Sequence, residues 1–231
     1  MAPIIDSRRD DDPGRPPRFI ALIGVDGSGK TTQAHRLADA LTDAGLPASY
    51  LQNAGGRAWF GKLAHRLGGS DAQGLFGRHG WPVVESVLRW LAIARALVRM
   101  RRRDRIGVMD RYSYCQYASI RTQLGHGRFS ERVARFAYGL FPAPDLTLLL
   151  VVSPGSAYRR IEARGTDHET IEYLTRASAA YASLPEHESF VLIDGDGTED
   201  EVAAAILAQL RPWLPAPVLP LPSPEAETAA V

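Results

Sequence analysis

Gly24-Val25-Asp26-Gly27-Ser28-Gly29-Lys30-Thr31-Thr32 is the stretch on which the reading of this chain turns. It fits G-x-x-x-x-G-K-[ST], the pattern of a phosphate-binding P-loop. Before it runs Phe19-Ile20-Ala21-Leu22-Ile23, a short apolar segment that predicts a buried parallel strand. After it, Ala34, Leu37, Ala38 and Leu41 recur at helical spacing. Strand, glycine loop and helix is the context the motif needs. The glycines let the backbone turn so that several N–H groups face one anion. The helix adds the positive end of its dipole. On this reading Gly24, Asp26, Gly27, Ser28, Gly29, Lys30, Thr31 and Thr32 wrap the phosphates of a nucleotide. Lys30 reaches the β- and γ-phosphates, and the Thr31 hydroxyl helps to hold Mg²⁺.

Composition narrows the rest. The chain has 231 residues, which suits one domain with an inserted lid. Its formal net charge of +1 offers no global field to nucleic acid or an acidic membrane surface. The one cysteine, Cys115, rules out an internal disulfide and a cysteine-rich zinc site. No apolar run approaches the roughly 18 residues that span a bilayer. Residues 1–17 carry charges and prolines and no apolar signal core, so a cytoplasmic protein is expected. These residues and the proline-rich stretch 212–231 read as tails, leaving a folded part over 18–211.

Within that part apolar strands alternate with helices. Ala48–Leu51 predicts the second strand, Ile106–Asp110 the third, Leu146–Val152 the fourth and Phe190–Asp194 the fifth. Helices are expected over Trp59–Leu67, Val83–Arg103, Tyr114–Leu124, Glu131–Leu140, from Ser153-Pro154 to Gly165, Glu169–Ala182 and Glu199–Leu210. On the long helix Val84, Val87, Leu88, Leu91, Ala94, Leu97 and Val98 are expected to form the apolar face. The pattern is that of an α/β fold, a parallel sheet covered on both faces. Ligands of such folds bind at the carboxyl ends of the strands, where the glycine loop and Asp110 both fall. An acid in the place of Asp110 can sit beside the Mg²⁺ of a P-loop enzyme; it can also simply cap the next helix.

Four features, in order along 18–210, resemble the thymidylate kinases, nucleoside-monophosphate kinases of the P-loop class. They are the glycine loop with its acidic third position and trailing Thr32-Gln33; Asp110-Arg111-Tyr112; Pro144-Asp145-Leu146-Thr147; and Arg160-Ile161-Glu162-Ala163-Arg164-Gly165 with Asp167 and Glu169 behind it. The resemblance implies a P-loop NTPase fold, a three-layer sandwich with a five-stranded parallel sheet and a helical lid over about 157–170. It implies ATP and Mg²⁺ as cofactors, with Thr31 and Asp110 at the metal. Arg95 and Arg111 match arginines that hold the acceptor's phosphate, and Asp26 matches an acid near the acceptor's sugar. Gly27 stands where some members carry an arginine; members with glycine there place the basic group on the lid. Lys30, Asp110, Arg160 and Arg164 are then the expected catalytic residues.

The acceptor half departs from the family's pattern. Gln52-Asn53-Ala54-Gly55-Gly56-Arg57 replaces an arginine-bearing loop, with Arg57 as the one substitute, and Leu91 falls where a base-stacking phenylalanine is usual. The expected reaction is ATP-dependent phosphorylation of a nucleoside monophosphate, thymidylate or a relative. A P-loop kinase of a nucleoside or another small hydroxyl compound, and a nucleotide-binding module without turnover, stay open at this point. The expected partner is the nucleotide acceptor, with neither nucleic acid nor membrane, and a homodimer is among the assemblies allowed.

Overall fold

Strand β1, Phe19–Gly24, is buried from end to end and splits its side chains between two cores. Phe19, Ala21 and Ile23 enter one apolar cluster, while Ile20 and Leu22 enter the other. That division is the period of two of a β-strand with helices on both faces. The computed structural model describes residues 17–52, 90–100, 105–125, 129–165 and 168–213. The expected tails, the helix at Trp59–Leu67 and the loop ending at Arg57 lie almost wholly outside those residues.

The strands are β1, β2 (Ala48–Gln52), β3 (Ile106–Asp110), β4 (Leu146–Val151) and β5 (Val191–Asp194). Among the described residues they form one sheet in the order β2-β3-β1-β4-β5, and every pairing is parallel. Helix α1 (Lys30–Asp43) and helix α7 (Glu199–Leu210) cover one face through Ala34, Leu37, Leu41, Val202, Ile206 and Leu210. The other face carries α2 (residues 90–100), α3 (Ser113–Leu124), α4 (Phe129–Tyr138), α5 (Pro154–Arg164) and α6 (Ile171–Ala182). This is the three-layer α/β sandwich that alternating strands and helices predict.

Local chemistry sets most of the helix ends. Ser153 caps α5 by accepting from the Ser156 amide, with Pro154 in the first turn, and Gly165 ends it at φ 64°. Thr198 and Glu201 form a reciprocal capping box at the start of α7. Asp145 serves the sheet itself. Its carboxylate accepts from the amides of Arg18 (2.7 Å) and Phe19 (2.8 Å), so the residue before β4 fixes where β1 begins.

One expected face is turned. On α2 the buried residues are Ile93, Ala96 and Leu97, while Leu91 is 52% exposed and Val98 51%. Trp90 points to α4, where its indole donates to the Ala137 carbonyl (2.8 Å) and packs on Phe141. The segment is apolar on nearly every side, so two stripes at helical spacing compete and periodicity alone cannot choose between them.

Candidate active site

The glycine loop joins the carboxyl end of β1 to α1, next to the carboxyl ends of β3 and β4. This is the edge at which the sheet's connections diverge to either side of β1. Gly27 and Gly29 adopt φ of 79° and 86°, conformations that cost a side-chain-bearing residue. Across the sheet edge from α6, the buried Tyr181 hydroxyl donates to the Gly24 carbonyl (3.0 Å) and steadies the loop's entry. Ser28 is buried within the loop.

Lys30 is 4% exposed and folds back over the loop. Its ammonium donates to the Val25 carbonyl (2.5 Å) and the Ser28 hydroxyl (3.2 Å), and lies 3.9 Å from an Asp26 oxygen. Burial, with Arg111 adding in the same direction, pushes its pKa down to about 8, and Asp26 opposes the shift. An ammonium so placed has already lost its water and is ready to exchange a carbonyl for a phosphate oxygen.

Asp110 ends β3 and is 2% exposed. Its Oδ2 accepts the Thr31 hydroxyl at 2.6 Å and the Tyr50 hydroxyl at 3.3 Å. Its Oδ1 is buried and without a hydrogen-bond partner. A sealed carboxylate oxygen without a donor is costly by about 1–3 kcal/mol. A hard cation, or a water bound to one, is the chemistry that satisfies it. Thr31 and Asp110 therefore fit Mg²⁺, in a site where protein supplies one or two oxygens and a nucleotide's phosphates supply others. No group of three or more His, Cys, Asp or Glu side chains suited to a metal occurs among the described residues, so the site does not resemble an all-protein metal cage.

Arg111 follows directly and is the one non-glycine residue at positive φ (70°) among those described. Its amide continues the β1–β3 ladder by donating to the Leu22 carbonyl (3.0 Å). A left-handed arginine is strained by roughly 1–2 kcal/mol. Its guanidinium donates to Asp26 Oδ1. Burial raises the Asp26 pKa, but Arg111 and Lys30 together outweigh it and hold the carboxyl well below the usual range. Glu169, just before α6, adjoins Asp26 and adds to that lowering. Two acidic and two basic side chains thus meet at the mouth of the loop.

The two arginines expected on a lid separate. Arg160 donates to the carbonyls of Gly195 (2.8 Å) and Gly197 (3.2 Å), so its guanidinium ties α5 to the loop after β5. Arg164 is exposed one turn further on. Leu91 and Arg95 are both exposed one turn apart on α2, and Arg95 makes no ion pair among the described residues. Gln33, which trails the glycine loop, turns away from it and donates to the Glu199 carbonyl (2.8 Å). Tyr50 and Tyr181 are absent from the expected set, and Glu169 enters it only as a residue trailing the lid feature. Each reaches the site from a different stretch of chain; the position of Tyr50 near the carboxyl end of a strand hints at it, and nothing local announces Tyr181.

A family model described as thymidylate kinase matches residues 23–206. The chain belongs to the thymidylate kinase family. Similar proteins include a thymidylate kinase of Xanthomonas campestris pv. campestris, 31% identical over 203 residues that cover 83% of this chain and 84% of that protein. Another, from Halorhodospira halophila, is 30% identical over 212 residues, 85% of this chain and 95% of that protein. A third, from Carboxydothermus hydrogenoformans, is 26% identical over 200 residues, 80% and 92% respectively. Membership makes this thymidylate kinase-like chain a phosphotransferase, a nucleoside-monophosphate kinase that uses a nucleotide donor. No helix among the described residues is long and apolar enough to cross a membrane.

Proposed function

We propose that this chain transfers the γ-phosphoryl group of ATP, with Mg²⁺, to thymidylate or a closely related nucleoside monophosphate in the cytoplasm. The observation that carries the reading is the meeting of Lys30, Thr31, Asp110, Arg111 and Asp26 at the ends of two adjacent strands. The loop's amides and Lys30 hold the donor phosphates. Thr31 and Asp110 hold Mg²⁺, which when bound neutralises charge on the β- and γ-phosphates. Arg111 gives paired hydrogen bonds to the acceptor's phosphate, and Arg95 joins it from α2. Asp26 restrains Arg111 and lies where the acceptor's sugar approaches. Leu91 offers the base an apolar contact, and Arg57 stands in for the missing loop arginine.

The lid is the segment from about 157 to 170. With Gly27 in the loop, its basic group comes from α5. Arg160 hydrogen-bonds backbone carbonyls after β5; Arg164, exposed one turn further on, is the residue assigned to the charge that develops on the transferred group. The assay that tests the whole reading measures ATP consumption against a panel of nucleosides and nucleoside monophosphates. Thymidylate and its relatives should lead. A nucleoside used as well as its monophosphate would point to a nucleoside kinase, and no turnover with any acceptor would point to a binding module.

Self-association as a homodimer completes the proposal. Phe129, Val133, Phe136 and Leu140 recur at spacings of four, three and four along α4 and its end, and Phe129 and Phe136 are 78% and 82% exposed. That is a seam a second copy can match by two-fold symmetry. Light scattering of the wild type and of Phe136→Asp checks it.

A further inference from the structure

Tyr50 belongs to none of the motifs that mark this family, yet it touches the centre of the site. It lies on β2, paired in register with Val108, two residues before Asp110 on the neighbouring strand. Its hydroxyl donates to Asp110 Oδ2 at 3.3 Å. That same oxygen takes the Thr31 hydroxyl at 2.6 Å. The other oxygen, Oδ1, is the buried one without a partner. On the far side of the Tyr50 ring lies His35 of α1, stacked at 3.6 Å between centroids and 22° between planes.

We propose that Tyr50 is a positioning residue for the divalent cation: with Thr31 it pins Asp110 Oδ2 and so presents Oδ1 as the oxygen that faces the metal or its water. The inference rests on the kinase reading of the site. A carboxylate held at one oxygen by two donors cannot turn about its Cβ–Cγ bond without breaking both hydrogen bonds. With Thr31 alone, Oδ1 and Oδ2 exchange more freely, and the Thr31 oxygen shares its proton with a moving acceptor. The His35 ring limits how far the Tyr50 ring can swing, so the hydroxyl stays within reach of Oδ2. Partners one step behind a metal ligand commonly tune metal affinity by 10–100-fold.

The test uses the full-length protein and Mn²⁺ as the probe, its free concentration followed by electron paramagnetic resonance in the presence of ADP. Tyr50→Phe keeps the ring and its stack on His35 but removes the donor. The Mn²⁺ dissociation constant should rise roughly tenfold. ADP affinity measured in EDTA should stay at the wild-type value, since nothing that touches the nucleotide has changed. The Mg²⁺ concentration for half-maximal rate should rise in step, with kcat at saturating Mg²⁺ largely retained. His35→Ala keeps the hydroxyl and frees the ring, and should weaken Mn²⁺ in the same direction by a smaller factor. An unchanged Mn²⁺ affinity in Tyr50→Phe overturns the proposal. So does an equal loss of ADP affinity in EDTA, which would make Tyr50 part of the packing of the pocket. Wild-type protein that binds ADP but no Mn²⁺ beside it would instead sink the metal assignment of Thr31 and Asp110 itself.

Discussion

Gly27 and Ala157 meet backbone to backbone, the glycine loop against the first turns of α5. A Cβ on Gly27 would collide with the Ala157 carbonyl oxygen and lie 3.0 Å from the Ala157 Cα, and the residue sits at φ 79°. The glycine is thus required twice, by its conformation and by its neighbour. An arginine, which some family members carry at this place, cannot be added here without moving α5. Gly27→Ala should lower stability by roughly 1–3 kcal/mol and raise KM for ATP, because the loop and the lid helix must part to admit the methyl group. Chemical denaturation and steady-state kinetics check the two effects. A variant of wild-type stability and KM would mean that the two segments do not pack in this way.

Lys30 supplies the only ammonium in the loop. Lys30→Ala should abolish turnover, since the donor's β- and γ-phosphates lose their mobile cation. The side chain is buried, so the change also leaves the Val25 carbonyl and Ser28 hydroxyl short of a donor. Circular dichroism is therefore measured alongside activity. A folded variant with near-normal turnover would refute the donor site.

The two lid arginines should fail in different ways. Arg164→Ala should lower kcat by roughly 10² or more with a smaller change in KM for ATP, as expected for a group that acts on charge developing in the transition state. Arg160→Ala should instead loosen the loop at Gly195–Gly197 and show mainly in KM for ATP and in melting temperature, because its hydrogen bonds go to that loop. If the kcat loss belongs to Arg160 and not to Arg164, the division of roles drawn from the structure is wrong.

What the sequence makes legible is what short-range chemistry decides. The loop Gly24–Thr31, the acid closing β3 and the start of α5 at Ser153-Pro154 all rest on residues within a few positions of each other. Strand and helix order follows from apolar spacing for the same reason. The rest is set by contacts between distant segments. Asp26 and Arg111 are 85 residues apart, Tyr50 and Asp110 60, and Gly24 and Tyr181 157. Nothing local announces them. Arg160 shows the same limit: its spacing on α5 suits a lid arginine, but whether its guanidinium turns to phosphates or to the Gly195 carbonyl depends on where the loop after β5 lies. Leu91 shows it again, on a helix whose sequence offers two apolar stripes and whose neighbours choose one.

The ion cluster behind the site gives a pH-dependent prediction. Glu131 accepts from Arg121 and Arg135, and Arg135 goes on to Glu186 while lying over the Tyr117 ring at 4.4 Å. Arg121 also donates to the Ser183 carbonyl, so α3, α4 and the end of α6 are tied through one carboxylate. The Arg121 hydrogen bonds, opposed by burial, hold Glu131 below its ordinary value of 4.5. A carboxyl with a lowered folded-state pKa stabilises the protein above its unfolded pKa and loses that contribution as pH falls through the folded value. Glu131→Gln takes the carboxylate away from the partly buried Arg121 and Arg135, leaves Arg135 only Glu186, and should cost roughly 1–3 kcal/mol near neutral pH. The gap between wild type and variant should narrow below pH 4.5. Urea titrations at several pH values measure it, and a gap that does not change with pH would show that the loss is one of shape and not of charge.

Arg111 carries the sharpest prediction about the acceptor. It is held at positive φ and bound to Asp26, so strain and an ion pair both go into fixing one guanidinium beside the glycine loop. Arg95, on α2, is exposed and without an ion-pair partner among the described residues. Two such cations suit an acceptor that brings its own phosphate, because each can make paired hydrogen bonds to its oxygens. A nucleoside would forfeit the hydrogen bonds that both could make to that phosphate. The base has less to hold it, with an exposed Leu91 in place of an aromatic stack. Monophosphates should therefore exceed nucleosides by at least roughly tenfold in kcat/KM, about 1.4 kcal/mol, while discrimination among bases stays modest. Arg111→Ala should remove most of the phosphate preference and leave Asp26, among the described residues, with the more distant Lys30 as its cation. Asp26→Asn tests the other half of the pair: Arg111 loses its anchor, so KM for the acceptor should rise more than KM for ATP. Competition assays with a nucleoside and its monophosphate read both variants, and an Arg111→Ala enzyme that keeps the wild-type preference would place the acceptor's phosphate elsewhere.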